Sequence, residues 1–80
     1  MDDAAQAWLA KVGKRVRIAR LTREWTQDQL AEATGISRSF VSLIEKGTHD
    51  CSVLRLWRIA DALGGRLVDL LDPANDLPRA

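Results

Sequence analysis

The sequence has few residues that cross-link a chain or anchor it in a membrane. Its 80 residues include one cysteine, Cys51, so an internal disulfide is impossible and a reducing compartment is expected. No apolar run approaches the roughly 18 residues of a membrane span. The N-terminus carries two aspartates and no apolar signal core. We therefore expect a soluble, cytoplasmic protein.

The length and composition indicate one globular domain. Apolar residues make up 46% of the chain, which is too high a share for a disordered protein. So short a chain buries a modest fraction of its surface, and a partner subunit can therefore add stability. The two prolines, Pro73 and Pro78, lie in a polar C-terminal tail that we expect to be mobile.

The net charge is only +1, but the charges are unevenly distributed. The early cations, with no acid among them, are Lys11, Lys14, Arg15, Arg17, Arg20 and Arg23. Four aspartates come late, at positions 61, 69, 72 and 76. This asymmetry points weakly to an anionic partner, and a solvated helix face explains it equally well.

Apolar spacing predicts a first helix over residues 4–22. Asp2 or Asp3 can cap it, and their charge suits the positive end of the helix. Gly13, within the pattern, either lets another helix approach closely or marks a later helix start. Arg20 continues the stripe and needs a partner, because a buried cation without one is costly. The rest of the stripe is Trp8, Val12, Val16 and Ala19.

A second helix is predicted to open at Thr26. Gln29, three residues on, completes a capping box, in which each side chain accepts a backbone N–H of the other residue. Gly35 ends the helix in the left-handed conformation, and Ile36 then enters the core. The residues expected to face inward are Leu30, Ala31 and Ala33.

A third helix is predicted between the capping residue Ser37 and Gly47. Its polar side chains lie within about 100° of one another on a helical wheel. They are Arg38, Ser39, Ser42 and Lys46. Val41 and Ile44 point the other way, so the helix has one side for the core and one for a ligand.

Three residues lie at the borders of that polar stripe. Phe40 and Leu43 flank it, while Glu45 lies at the edge of the inward face. Glu45 is therefore the expected partner of Arg20.

Two more helices are predicted after a loop over residues 48–51. Ser52 caps the fourth, Trp57 lies off its inward stripe, and Gly64-Gly65 ends it. The inward residues are Val53, Leu56, Ile59, Ala60 and Leu63. A short fifth helix over residues 66–71 carries Leu67, Leu70 and Leu71.

These elements contain motifs of a known family. They are the opening Thr26-Gln27, the turn Gly35-Ile36-Ser37 and the ending Ile44-Glu45-Lys46-Gly47. With residues 12–20 and 56–71, the chain resembles the phage-repressor and Cro-like (XRE-type) helix-turn-helix family. The resemblance divides the chain into an N-terminal helical extension (1–11), a DNA-binding and dimerisation domain (12–71) and the C-terminal tail (72–80).

The resemblance implies an all-α, compact five-helix domain that regulates transcription. It would bind a palindromic double-stranded DNA operator as a homodimer, with helix 37–46 in the major groove. The expected base contacts are Arg38, Ser39, Phe40, Ser42 and Leu43. The expected phosphate contacts are Arg17, Thr26, Gln27, Lys46 and Ser52. Arg20 and Glu45 are expected to form a structural ion pair.

Residue chemistry supports these roles and leaves alternatives. Arginine can donate two hydrogen bonds to guanine, and helix N-termini bind phosphate. Phe40 and Leu43 can instead pack in the core, and Arg17 and Lys46 can be solvated charges. Gln27 can be a simple surface residue.

Two positions depart from the family pattern. Leu43 stands where many members carry a polar residue that contacts DNA, so base contacts should concentrate in the first turn of the helix. Cys51 stands where proline is common before helix four.

The dimer interface is expected to form around the fifth helix. Its residues would be Trp57, Leu67, Val68 and Leu71. Leu67 and Leu71 also suit the core of a monomer.

Catalysis and metal binding are not expected. His49 lies in a loop with no convergent nucleophile, and the adjacent His49, Asp50 and Cys51 cannot easily close a tetrahedral zinc shell. No cofactor is implied.

The alternative function is an antitoxin-like protein that binds a partner protein and regulates its own promoter. A controller of restriction-modification genes also resembles the chain. The partners considered besides DNA and a second copy are a toxin and RNA polymerase, the latter through Asp28 and Glu32.

Overall fold

The computed structural model describes residues 2–71, and five helices follow one another along this part of the chain. They are α1 (Asp3–Thr22), α2 (Gln27–Thr34), α3 (Arg38–Lys46), α4 (Val53–Ala62) and α5 (Leu67–Leu71). No strand lies within residues 2–71, so the all-α expectation is confirmed there. None of the helices in this range has the length and hydropathy of a membrane span. Pro73 and Pro78, with the tail expected to be mobile, lie outside the described residues.

The first four helices begin at the side-chain caps that the sequence predicts. Asp2 accepts a backbone N–H in the first turn of α1. Thr26 and Gln29 form the reciprocal capping box of α2, and Ser37 and Ser52 cap α3 and α4. Because each cap satisfies an amide that the helix cannot, it determines where the helix starts. The alternative start of α1 near residue 13 is wrong.

The core lies where all five helices meet. Its buried residues are Val16, Leu30, Ala31, Ile36, Val41, Ile44, Ile59, Ala60 and Leu70. Three residues expected on inward faces are instead exposed, and one of them is Trp8 on α1, which is 39% exposed. Ala33 lies beside the buried face of α2, which is centred on Leu30 and Thr34. Val53 is 67% exposed because the first turn of α4 projects beyond the core.

Helices α1 and α3 cross with their backbones in contact. A Cβ atom on Gly13 would lie 2.3 Å from the carbonyl oxygen of Ile44. A Cβ atom on Gly47 would lie 2.5 Å from the Cα atom of Ala10. Glycine at these two positions therefore permits the close approach, as predicted for Gly13. The first half of α1 consequently packs against the end of α3.

Candidate nucleic-acid interface

The polar stripe of α3 lies on the surface of the structure. Arg38, Ser39 and Lys46 are exposed, and Ser42 is half-buried. The hydroxyl of Ser37 accepts a hydrogen bond from the amide of Phe40 at 3.1 Å, and this cap makes Arg38 the first residue of the helix. The first turn thus presents Arg38 and Ser39 together at the end of a helix whose opposite side is buried.

A polar cleft of about 310 Å³ lies beside this stripe, between α1, α2 and α3. Its lining residues are Arg17, Arg20, Gln27, Ser42, Glu45 and Lys46. Three of the five predicted phosphate contacts therefore share one cleft with a predicted base contact. Glu45 balances Arg20, which leaves Arg17 and Lys46 as an excess of positive charge suited to an anion.

The expected pair of Arg20 and Glu45 is present and buried below this cleft. Nε of Arg20 lies 2.7 Å from one carboxylate oxygen of Glu45, and Nη2 lies 2.9 Å from the other. Nη1 of Arg20 also donates to the carbonyl of Trp25 at 2.7 Å. The hydrogen bond to Glu45 raises the pKa of Arg20, against the opposing effect of burial, so the guanidinium stays charged. The pair joins α1 to α3 and to the turn before α2.

Gln27 extends this network toward the surface, a contact that the sequence did not suggest. Its side-chain Nε2 donates to Glu45 at 3.2 Å. A carboxylate only accepts hydrogen bonds, so Glu45 orients the Gln27 amide with its nitrogen inward. The second N–H of that nitrogen can donate a hydrogen bond to a phosphate. The backbone N–H of Gln27, the first residue of α2, can do the same.

The cap residues Thr26 and Ser52 have part of their hydrogen-bonding capacity in use. The Thr26 hydroxyl accepts a hydrogen bond from the backbone amide of Gln29 at 3.1 Å, and the backbone amide of Thr26 donates to the side-chain oxygen of Gln29 at 2.8 Å. The Ser52 hydroxyl accepts the amide of Arg55 at 3.2 Å. Each hydroxyl keeps its own proton, so a phosphate contact from either residue would be made by the hydroxyl as donor.

The exposed side of α3 carries an ion pair that sequence reasoning missed. Nε of Arg38 lies 3.1 Å from a carboxylate oxygen of Asp28. The sequence suggested Asp28 only as a polymerase contact. No helical spacing links residues on two different helices, so only the packing of α2 against α3 brings them together.

The two apolar residues that flank the stripe are half-buried. Phe40 packs against the core, and the guanidinium of Arg55 lies 4.7 Å from the centre of its ring. This stacking covers one face of Phe40 and favours its structural role. The base contacts of Phe40 and Leu43 stay predictions.

The residues expected at a dimer interface differ in exposure. Trp57 on α4 is 50% exposed and Val68 on α5 is 43% exposed, whereas Leu67 and Leu71 are half-buried. Leu71 lines an apolar cavity of about 270 Å³ that also borders Trp8. The two exposed residues are therefore the more available for a partner.

The loop after α3 contains the residues considered for catalysis. Nδ1 of His49 lies 3.1 Å from the hydroxyl of Thr48. Burial raises the pKa of the Cys51 thiol, which keeps it protonated and poorly nucleophilic. Within residues 2–71, no three His, Cys, Asp or Glu side chains are grouped so that they could hold a metal ion.

Comparisons with known proteins agree with this architecture. The profile of the helix-turn-helix family matches residues 16–70. An uncharacterized HTH-type transcriptional regulator, y4dJ of Sinorhizobium fredii, is 36% identical over 62 residues, which cover 75% of this chain and 80% of that protein. Control protein C.BamHI of Bacillus amyloliquefaciens is 38% identical over 61 residues, which cover 75% of each chain.

One solved structure is similar to this one over most of the length of both chains. The restriction-modification controller protein C.AhdI of Aeromonas hydrophila superposes with a TM-score of 0.78 and 33% identity. The match covers 80% of this chain and 97% of that one. These relatives are transcriptional regulators and controllers, a non-enzymatic kind of protein. The chain therefore belongs to the phage-repressor and Cro-like (XRE-type) family of helix-turn-helix transcriptional regulators.

Proposed function

We propose that the chain is a sequence-specific regulator that binds double-stranded DNA in the cytoplasm with α3 in the major groove. One observation carries the proposal: Arg38 and Ser39 are exposed on the first turn of α3, beside a cationic cleft. Recognition helices contact bases mainly through their N-terminal residues. The positive charge of Arg17 and Lys46 suits this cleft to the sugar-phosphate backbone that borders the groove.

Base recognition would come mainly from the first turn. Arg38 can donate two hydrogen bonds to O6 and N7 of one guanine, a contact worth about 1–3 kcal/mol of discrimination. Ser39 and Ser42 can reach several base edges and so specify less. Phe40 and Leu43 can contact a thymine methyl group at the edge of the stripe.

Backbone binding would come from the cleft. Gln27 is oriented by Glu45, and Arg17 and Lys46 supply charge. Thr26 and Ser52 would add hydroxyl donors at the starts of α2 and α4. Contacts of this kind hold the protein in register and make affinity depend on salt.

A homodimer on a palindromic operator completes the proposal. One short helix makes few base contacts, and a two-fold pair would place two recognition helices about 34–36 Å apart along the DNA. The exposed Trp57 and Val68, with the half-buried Leu67 and Leu71, are the proposed interface. Burial of the apolar surface of Trp57 and Val68 would favour association.

Selection of DNA from a random pool, at two salt concentrations, tests the proposed function. The expected product is a palindrome whose half-sites are about one helical turn apart. Binding that falls with salt and shows no preferred sequence would contradict sequence-specific regulation while leaving non-specific DNA binding.

Sedimentation at micromolar concentration, with and without DNA, tests the dimer. Trp57→Arg should convert the dimer to a monomer, because it places a charge in the proposed interface. Ile18→Arg is the matched control, since Ile18 is a similarly exposed apolar residue (53%) on α1. A wild-type monomer under both conditions would refute the dimer.

The second candidate is the antitoxin-like protein that binds a partner protein and regulates its own promoter. The exposed side chains of Trp8 and Val53 beside the apolar cavity favour it. Co-purification of a tightly bound protein, together with the absence of any selected DNA sequence, would support this candidate over the first. A selected palindrome bound with no partner protein would count against it.

A further inference from the structure

The ion pair between α2 and α3 contributes little to the fold. Arg38 and Asp28 approach to 3.1 Å, but their side chains are 65% and 76% exposed. Water screens an exposed pair, so its stabilising effect is small. A role of this ion pair must therefore depend on the surface of α2 and α3 that it occupies, rather than on the stability of the fold.

That surface is the one assigned to DNA. Asp28 directly follows Gln27 in the first turn of α2, and Arg38 opens α3. A carboxylate facing DNA is repelled by the phosphates and lowers affinity. The neighbouring cation offsets this repulsion, so the pair can approach DNA where a lone aspartate would be excluded.

The geometry leaves the outer end of the guanidinium available. Asp28 engages Nε, which lies on the side of the planar group. The two terminal nitrogens at the far end form a fork that matches O6 and N7 of guanine. Asp28 also restricts the rotamers of a long side chain, so less conformational entropy is lost when Arg38 binds a base.

We propose that Asp28 is a positioning residue that determines specificity through Arg38. It holds the guanidinium by Nε in the orientation that reads guanine, and it competes with phosphates for the same cation. Because a protein–DNA interface excludes water, the attraction between Arg38 and Asp28 should be stronger when DNA is bound. This inference rests on the proposed function, in which Arg38 contacts a base.

The same random-pool selection tests the inference with four variants. Asp28→Asn keeps the size of the side chain and removes its charge. Glu32→Gln makes the same charge change one turn further along α2, where the side chain is also exposed. Arg38→Ala, alone and combined with Asp28→Asn, identifies the base that Arg38 reads. Thermal melting checks that each variant is folded.

Asp28→Asn should weaken the preference for guanine at the position that Arg38→Ala also affects, by roughly threefold to tenfold. Glu32→Gln should leave that preference unchanged, although both charge removals should raise non-specific affinity. In the Arg38→Ala background, Asp28→Asn should have no further effect on base preference, because Asp28 acts through Arg38.

Three results would overturn the inference. Equal base preferences in Asp28→Asn and Glu32→Gln would mean that Asp28 affects binding only through the net charge of the surface. A change confined to another base position would mean that Asp28 reads that base itself, as a carboxylate can with cytosine. A wild-type protein that selects no sequence would overturn the proposed function and this inference with it, whereas the first two results leave that function intact.

Discussion

The two sides of α3 are built on different physical principles. The inner side meets α1 with backbones in contact at Gly13, and Glu45 lies in a buried network with Arg20. The outer side presents Arg38 and Ser39 to solvent, with one exposed ion pair to Asp28. Close packing and low dielectric make the inner contacts strong, whereas water keeps the outer contacts weak.

Under the proposed function, this difference separates stability from recognition within the nine residues of α3. A change on the inner side should alter stability and the position of the whole helix. A change on the outer side should alter the choice of DNA and leave the fold intact. Gln27 connects the two sides, because its amide is held by Glu45 and its helix faces the cleft.

Removal of one partner of the buried pair should have the largest effect. Glu45→Ala leaves the charged Arg20 without its carboxylate and should lower the free energy of unfolding by about 3–5 kcal/mol. Urea denaturation measures this loss, and Lys46→Ala, at the exposed next residue, is the control. Replacement of both partners by methionine should cost less than Glu45→Ala alone. A Glu45→Ala protein as stable as wild type would remove the distinction between the two sides.

The helix crossing should be the next most sensitive feature. Gly13→Ala places a Cβ atom 2.3 Å from the carbonyl oxygen of Ile44 and must push α1 and α3 apart. We expect a loss of about 2–3 kcal/mol, in spite of the better helix propensity of alanine. Gly65→Ala is the control in urea denaturation, since its Cβ would meet Asp69 at an ordinary 3.4 Å. Equal stability of the two variants would contradict the close packing.

A change on the outer side should affect recognition alone. Arg38→Ala should leave the melting temperature within error of wild type and relax the preference at one base in each half-site by about 1–3 kcal/mol. Lys46→Ala should instead weaken binding to all sequences and reduce its salt dependence. Comparative DNA selection with both variants measures the difference. A uniform loss of affinity in Arg38→Ala would reassign Arg38 to the phosphates.

The smallest effect should come from Cys51, at the edge of the core. Burial raises the pKa of its thiol, so the folded chain holds the proton more tightly than the unfolded chain. The associated stability is present below the pKa of an unfolded cysteine and is lost as the pH rises through the folded pKa. Alkylation by iodoacetamide at neutral pH should be slower than for a small thiol and should accelerate in urea. Cys51→Ser should lose less stability than wild type at alkaline pH.

Local patterns in the sequence account for much of the architecture. The caps at Thr26, Ser37 and Ser52 and the glycine at residue 35 depend on neighbouring residues only, so they were predictable. The polar stripe of α3 follows from helical periodicity in the same way. The pair of Arg20 and Glu45 was predictable because Arg20 continues a buried stripe and needs a partner, Glu45 lies at the edge of an inward face, and the family resemblance implies the same pair.

Other features could be decided only by the tertiary structure. The exposure of Ala33 and Val53 depends on which parts of α2 and α4 the other helices cover, and the stacking of Arg55 on Phe40 depends on where α4 lies relative to α3. The contact of Asp28 with Arg38 likewise requires a particular packing of α2 against α3. The sequence by itself therefore determined which helices form and which side of each is polar. Only the packing decided that the exposed Asp28 and Arg38 meet, because neither lies on an apolar face and side chains on different helices share no periodicity along the chain.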